Sequence, residues 1–266
     1  MIPVLTPEEM AGVDRSAPEP VDVLVERAGF AVACSARRLL GGAYGRRVTV
    51  VAGRGNNGAD GRAAASHLRS WGAVVGVMEA SSLGSSARLP PCDLVLDAAY
   101  GTGLERAYSP PDPGGTPVLA VDIPSGLSGL TGLPLEGGGA PTAVRTVTFA
   151  AYKPGLLLGD GPEHAGAIEV AGIGLDGLAA RAARSWLVTD EDVAAMLPAR
   201  PRQGHKWQSA VHVVGGSPGM YGAPLLVAGG AMRAGAGYAL VGVPGAPEGG
   251  GLPPGAHVGY ALPERG

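Results

Sequence analysis

Six short apolar runs, separated by polar and glycine-rich connections, constrain the fold of this chain more than any other feature. The runs are Arg47–Gly53, Ala73–Glu79, Asp93–Ala99, Pro117–Ile123, Arg145–Ala151 and Ala167–Ile173. Each has the length of a strand and is almost continuously apolar, as strands covered on both faces must be. A helical segment, Gly61–Trp71, lies between the first two runs. Strand, helix and strand in this order predict right-handed crossovers and a mostly parallel sheet in an α/β fold.

Two helices are predicted before the first strand. Thr6, Pro7 and Glu9 form a capping box with proline at the first helical position. The segment Val21–Leu40 has apolar residues at helical spacing, and Gly41 is placed to end it.

The chain is predicted to contain two domains, residues 1–196 and 197–266. Prolines at 198 and 201 mark the boundary, and beyond it a strand, a helix and a strand follow at Ser209–Gly216, Ala223–Gly237 and Tyr238–Val243. A single βαβ unit buries too little surface to fold alone. The second segment is therefore interpreted as the opening of a further α/β domain.

Charge and composition exclude several classes of protein. With 45% hydrophobic and 16% charged residues, the chain lacks the composition of a disordered protein. A net charge of -3 without a basic stripe gives no reason to expect nucleic acid or an anionic membrane as a partner. No secretory signal or membrane span is recognised, and Cys34 and Cys92 have no metal or disulfide spacing. We therefore expect a cytoplasmic protein.

The loop after the first strand is the first candidate site. Gly53–Gly58 reads as GxGxxG, and Glu79 ends the next strand, which together are typical of a dinucleotide-binding fingerprint. The oxygens of Asn56, Asn57 and Asp60 are also suited to a cation or to ribose hydroxyls. The local alternative is that Asn57 favours a left-handed turn and Asp60 caps the helix.

Two further strands end in an acidic residue followed by a turn. Asp97 precedes the glycine loop 101–103, and Asp122 precedes Pro124, Ser125 and Gly126. Each aspartate alone could be a loop cap. Because ligands bind outside the carboxyl ends of strands in open parallel sheets, we expect one crevice to be shared by Asn57, Asp60, Asp97, Asp122 and Ser125.

Four motifs in this order resemble a known family. GRGNNGADG, LDAAYGTGLER, VDIPSG and TFAAYKPGLLLGDGPEHAG are similar to the YjeF N-terminal domain, the NAD(P)H-hydrate epimerases, over about residues 3–196. The resemblance implies a Rossmann-like three-layer α/β/α sandwich. It also implies interconversion of the R and S forms of NADHX or NADPHX, which differ at C6 of the nicotinamide ring.

The resemblance also implies roles for individual residues. The substrate-binding positions would be Asn56, Asn57, Gly58, Ala59, Asp60, Gly101, Thr102, Gly103, Leu104, Glu105, Arg106, Ala107 and Asp122. Potassium ligands would be Asn57, Asp97 and Ser125, and we expect Asp122 to act as acid and base. Lys153 is a second candidate proton carrier, with an ordinary lysine at a strand end as the favoured interpretation. Ala59 replaces a usual glycine, and Ser128 and Leu130 replace a frequent acidic pair.

The downstream stretch from Gly204 to Pro244 is similar to the start of the ADP-dependent NAD(P)H-hydrate dehydratase family, which is ribokinase-like. Ala223 falls at a substrate-contacting position of that family. The later phosphate-binding glycine loops and catalytic aspartate motif of that family have no counterpart before Gly266, so we expect no dehydratase activity from this chain. ADP and magnesium would be cofactors only of a complete dehydratase domain. A homodimer is left open.

Two other functions are considered. The GxGxxG loop and Glu79 favour an NAD-dependent oxidoreductase, although no His, Tyr/Lys or Cys arrangement for hydride transfer follows. A non-catalytic binding module on the same fold is the other, and the presence of Asn57, Asp97, Asp122 and Ser125 weighs against it.

Overall fold

The computed structural model describes residues 1–84, 87–197 and 203–245. The chain divides into two compact units, Met1–Ala194 and Ala195–Gly266. The helices are α1 (Pro7–Arg15), α2 (Val21–Leu40), α3 (Asn56–Ser70), α4 (Gly161–Ala165), α5 (Asp176–Ala182), α6 (Asp190–Met196) and α7 (Gly222–Arg233). The strands are β1 (Ile2–Val4), β2 (Arg47–Ala52), β3 (Val74–Glu79), β4 (Leu94–Ala98), β5 (Val118–Val121), β6 (Arg145–Phe149), β7 (Ala167–Ala171), β8 (Ser185–Leu187), β9 (Ala210–Val214) and β10 (Tyr238–Gly242).

The first unit is built on a six-stranded sheet in the order β3-β2-β4-β5-β6-β7. Every neighbouring pair in this sheet is parallel, which confirms the predicted α/β class. The strand order reverses at β2, because β3 pairs with one side of it and β4 with the other. A crevice is therefore expected outside the carboxyl ends of β2 and β4.

The sheet is buried on both faces. One face packs Val50 and Leu96 against Val32 of α2 and Leu68 of α3. The opposite face buries a second cluster that includes Val51, Val95, Val118, Leu89 and Ala143. Burial on both faces explains why these strands are continuously apolar rather than alternating.

Helix α3 begins earlier than predicted, at Asn56 instead of Gly61. The reason is tertiary packing, because glycines let this helix lie directly on the strands. A Cβ on Gly58 would be 1.9 Å from the Gly53 carbonyl oxygen, and one on Gly61 would be 2.4 Å from the Ala98 Cβ. As a result, Asn56 and Asn57 lie in the first helical turn, not in a loop.

The two N-terminal helices form as predicted. Thr6 Oγ1 accepts a hydrogen bond from the Glu9 amide, and Glu9 Oε2 accepts one from the Thr6 amide, completing the capping box. Helix α2 spans the predicted residues and ends at Gly41, whose φ is 64°. Strand β1 pairs antiparallel with β8 in a separate two-stranded sheet.

The second unit contains the predicted βαβ arrangement. Strands β9 and β10 are parallel and are connected through α7. Ala223 lies in the first turn of α7 and is exposed. Among the helices that the structure describes, none has both the length and the apolar composition of a membrane span.

Candidate functional site

The candidate site lies at the carboxyl ends of β2, β4 and β5, at the point where the strand order reverses. The turn after β2 leads directly into α3, and the Gly53 amide donates to the Ala98 carbonyl oxygen at 3.0 Å. A Cβ on Gly53 would be 1.9 Å from the Ala99 carbonyl oxygen, so only glycine fits here. The close approach of the two chains fixes the start of α3 beside the loop that follows β4.

Asn57 carries an unsatisfied amide into this site. Its side chain is 9% exposed, and neither Oδ1 nor Nδ2 has a hydrogen-bond partner in the described part of the chain. Burying an amide without partners costs free energy, and native structures rarely leave such groups unpaired. An unpaired carboxamide at the start of a helix therefore points to a bound ligand.

Gly101 brings Asn57 and Asp122 to one place. A Cβ built on Gly101 would be 3.5 Å from the Asn57 Cβ and 3.6 Å from Asp122 Oδ2. The first turn of α3, the loop after β4 and the turn after β5 therefore meet at this glycine. The expected convergence of Asn57 and Asp122 is found in the structure.

Asp122 adopts a backbone conformation that is unusual for its residue type. Its φ is 68°, and the other described non-glycine residue at positive φ is Ala150. The Asp122 amide donates to the Val147 carbonyl oxygen at 2.7 Å, which holds the turn against β6. Left-handed backbone at a non-glycine residue costs free energy and is concentrated at functional sites.

The Asp122 carboxylate is held on one oxygen by two donors. Oδ1 accepts from Lys153 Nζ at 2.5 Å and from Thr148 Oγ1 at 3.2 Å. Lys153 is only 1% exposed, and its ammonium also donates to Thr148 Oγ1 at 2.9 Å and to the Phe149 carbonyl oxygen at 3.1 Å. A buried ammonium needs such compensation, since an unpaired charge in the interior is very unfavourable.

Asp60 is the carboxyl group of the site whose pKa is raised furthest above its ordinary value. It is 8% exposed, and burial, together with the negative charges of Asp122 and Asp14, raises its pKa to about 8, against the opposing effect of Lys153. Burial also raises the pKa of Asp14, on α1, with the Lys153 charge acting in the opposite direction. The carboxyl groups of Asp14, Asp60 and Asp122 thus all interact with one buried lysine, and among the described residues it is Asp122 that forms an ion pair with it.

Asp97 and Ser125 contact each other at the carboxyl ends of the neighbouring strands β4 and β5. Asp97 Oδ2 accepts from the Ser125 amide at 2.8 Å, and Ser125 Oγ accepts from the Tyr100 amide at 2.9 Å and donates to the Tyr100 carbonyl oxygen at 3.0 Å. Burial raises the pKa of Asp97 to about 6, while hydrogen bonds from Ser125 and Ala99 oppose the shift. No described cation pairs with this carboxylate.

The loop 101–107 is anchored at both of its ends. The Thr102 side chain lies against Gly129, where an added Cβ would be 2.9 Å from Thr102 Cγ2. Arg106 donates to Tyr100 Oη at 3.2 Å and places its guanidinium 5.6 Å from the centre of the Tyr100 ring. Glu105, Arg106 and Ala107 are nevertheless exposed to solvent, so this part of the loop is accessible to a ligand.

Glu79 is not arranged as a ribose-binding acid. Its Oε1 accepts from Arg62 at 2.5 Å, and Arg62 also donates to the Gly53 carbonyl oxygen at 2.7 Å. Two of the three GxGxxG glycines, Gly53 and Gly58, allow close packing at the start of α3, whereas a Cβ on Gly55 would meet no described atom within 4 Å. The structure therefore gives no support to the oxidoreductase interpretation of this fingerprint.

Sequence reasoning missed the partners of Asp122. Lys153, interpreted as an ordinary strand-end lysine, is buried and ion-paired, and Thr148 and Asp14 were not considered. One signal was available, because the chain has only two lysines, Lys153 and Lys206, and Lys153 follows a buried strand. The ion pair between Lys153 and Asp122 joins residues that are 31 positions apart, so no local sequence pattern indicates it.

The fold and the site define an α/β protein with a candidate ligand site at a topological switch point, where an unpaired amide and carboxyl groups come together. The family model described as YjeF-related protein N-terminus matches residues 21–88 and 78–155, together about half of the chain. The chain belongs to this family.

Two curated relatives are both named bifunctional NAD(P)H-hydrate repair enzyme Nnr. The one from Salinibacter ruber is 34% identical over 89% of this chain and 54% of its own length. The one from Moorella thermoacetica is 33% identical over 91% and 54%. The chain spans about half the length of the curated relatives it matches. The crystal structure of yeast ynu0 is 20% identical, with a TM-score of 0.45 over 57% of this chain and 82% of that one.

Proposed function

We propose that this chain interconverts the R and S forms of NAD(P)H hydrate, NADHX or NADPHX. The observation that carries the proposal is that the unpaired Asn57 amide and Asp122 Oδ2 both lie next to Gly101. Membership of the YjeF-related family and the names of the relatives supply the substrate class. One site thus offers both an amide for recognition and a carboxylate for proton transfer.

The start of α3 supports binding of a dinucleotide. Its first-turn amides carry the partial positive charge of a helix N-terminus, which favours phosphate oxygens. The exposed guanidinium of Arg106 adds a cation on the neighbouring loop. The substrate would be held at its phosphates by these groups and at its altered ring by Asn57, Asp60 and Asp122.

The reaction needs only a proton carrier and a site that excludes bulk water. The bond between C6 and its hydroxyl oxygen breaks with both electrons going to oxygen, while the ring-nitrogen lone pair forms a C=N bond. A proton delivered to the departing oxygen makes water. Water then adds to the opposite face of C6, the C=N electrons return to nitrogen, and the released proton is accepted by a carboxylate.

Asp122 is the group that we assign to this proton transfer, as acid and base in turn. Asp60, whose pKa is raised to about 8 and which interacts electrostatically with Asp122, is a second carboxyl group that can supply that proton. No proton is gained or lost over the full cycle.

Potassium is proposed as a structural cofactor, held by Asn57, Asp97 and Ser125. The described residues fit such an ion, because the Asn57 amide oxygen is unpaired and the buried Asp97 carboxylate lacks a cationic partner. Among the described residues no group of three or more His, Cys, Asp or Glu could hold a metal ion, so the proposed ion would rely on amide and hydroxyl oxygens beside Asp97. When bound, the ion would supply fixed positive charge that orders the loops.

The proposal is tested with a single purified isomer. We expect the wild-type protein to convert the R hydrate to the S hydrate above the enzyme-free rate, and Asp122→Asn to lose about 100-fold or more of that rate. Isomers are separated by chiral chromatography. The exposed Asp22 at the start of α2 gives the matched control, Asp22→Asn, which should keep the wild-type rate. A fully active Asp122→Asn would remove Asp122 from the mechanism.

Potassium is tested by stability rather than by activity. If the ion binds the folded state alone, the melting temperature should rise in potassium chloride relative to tetramethylammonium chloride at equal ionic strength. Asp97→Asn should abolish most of this difference. Equal melting temperatures of the wild type in both salts would contradict the proposed ion site.

A further inference from the structure

The two oxygens of the Asp122 carboxylate have different surroundings. Oδ1 accepts the hydrogen bonds from Lys153 and Thr148, whereas Oδ2 lies 3.6 Å from the position of a Cβ built on Gly101, beside Asn57. One oxygen therefore faces the protein and the other faces the candidate ligand volume.

The Lys153 ammonium is fixed beside Asp122 by hydrogen bonds that use all of its protons. Its ammonium has three protons, and the structure gives it three acceptors: Asp122 Oδ1, Thr148 Oγ1 and the Phe149 carbonyl oxygen. Ala150, at φ 59°, turns the chain after β6 so that Lys153 comes back to the end of that strand. The Tyr152 amide donates to the Pro3 carbonyl oxygen, which ties this turn to β1.

We infer that Lys153 is a positioning residue for the proposed reaction, fixing Asp122 through Oδ1 so that Oδ2 alone meets the substrate. This inference rests on the proposed function. The left-handed backbone of Asp122 and the Lys153 contact act together: the first aims the side chain, and the second fixes its rotation. Carboxylates that transfer protons need such support, because displacements near 1 Å lower rates strongly.

The position of Thr148 supports the same role. It donates to Asp122 Oδ1 and accepts from Lys153 Nζ, so it bridges the two members of the pair. Thr148 is fully buried on β6, which fixes this bridge to the rigid sheet. The three side chains thus form one network with a single oxygen left for the ligand.

The test compares Lys153→Met with Lys206→Met, which changes the chain's only other lysine, an exposed residue of the second unit. With purified R hydrate, Lys153→Met should lower kcat by about 10- to 100-fold, because Asp122 loses its fixed rotamer. KM should change by less than about threefold, since Lys153 does not contact the substrate. Lys206→Met should match the wild type in both constants.

Thr148→Val provides the second variant, which keeps the ion pair and removes one hydroxyl. It should lower kcat by about threefold or more, with KM unchanged, and it decides the matter if Lys153→Met does not fold. A folded Lys153→Met with wild-type kcat, or a loss confined to KM, would overturn the positioning role. If Lys153→Met does not fold, a Thr148→Val protein with wild-type kcat would do the same. If the wild type itself does not interconvert the isomers, the proposed function fails, which is a separate outcome.

Discussion

Asp60 differs from Asp97 and Asp122 because no hydrogen-bond donor or cation in the described residues pairs with it. Asp122 has Lys153, and Asp97 has the Ser125 amide. Burial of Asp60 disfavours its charged form, and this raises its pKa to about 8. Two neighbouring carboxyl groups in different protonation states are a common arrangement for acid and base chemistry.

The raised pKa of Asp60 predicts how stability changes with pH. Its ordinary pKa is 3.8 and its folded pKa is about 8, so the folded state binds a proton that the unfolded state releases between these values. The contribution of Asp60 to the free energy of unfolding therefore falls as pH rises across this range, by about 1.4 kcal/mol per unit of pKa difference.

Asp60→Asn should remove this dependence. Relative to the wild type, the variant should gain stability in urea unfolding between about pH 5 and about pH 8.5. Wild-type and variant curves that run parallel across this interval would show that Asp60 does not carry the proton.

The individual site residues were predictable where a strand ends in a polar turn, and not otherwise. Asn57, Asp97 and Asp122 each follow an apolar run, so the edge of the sheet that they share could be inferred. Lys153 could not be assigned in this way, because its ion pair depends on how the turn after β6 folds back towards β5. The positive φ of Asp122 likewise has no counterpart in the sequence.

At the scale of the elements, the helix α3 is the part whose position decides the site. Apolar runs located all six strands of the main sheet within two residues at each end. The start of α3 was missed because asparagine and glycine are poor helix formers, and tertiary contacts override that preference. The glycines that weaken the helical signal are the ones that allow the helix to lie on β2 and β4.

The close packing of α3 predicts the effect of a single added methyl group. A Cβ at Gly61 would be 2.4 Å from the Ala98 Cβ and 3.2 Å from a Val50 methyl group. Gly61→Ala should therefore destabilise the protein by about 1 to 3 kcal/mol through overpacking. It should also weaken substrate binding, since Asn57 moves with the helix.

Gly177 provides the matched control for this prediction. It lies inside α5, and no atom is within 4 Å of its built Cβ, so Gly177→Ala should be neutral or stabilising by up to about 1 kcal/mol. Urea unfolding measures both changes. A Gly61→Ala protein as stable as Gly177→Ala would show that α3 does not need this close contact.

At the scale of the whole molecule, the order of strands in the main sheet brings motifs that are distant in sequence close together in space. The motifs lie far apart in the chain, at Asn57, Gly101, Asp122 and Lys153, and the parallel strands β2, β4, β5 and β6 deliver them to the same edge. The sequence predicted the class of sheet, while the order β3-β2-β4, which creates the crevice, came from the structure. The direction in which each connection crosses the sheet is not encoded in any local pattern.

The central claim is that the groups meeting at Gly101 bind the hydrated nicotinamide ring and interconvert its two isomers. The most direct measurement incubates the wild-type protein in parallel with pure R hydrate and with pure S hydrate, and follows both by chiral chromatography. The account predicts that both reactions reach the same ratio of isomers, faster than without the protein. Two mixtures that keep their starting isomer, or change only at the enzyme-free rate, would contradict it.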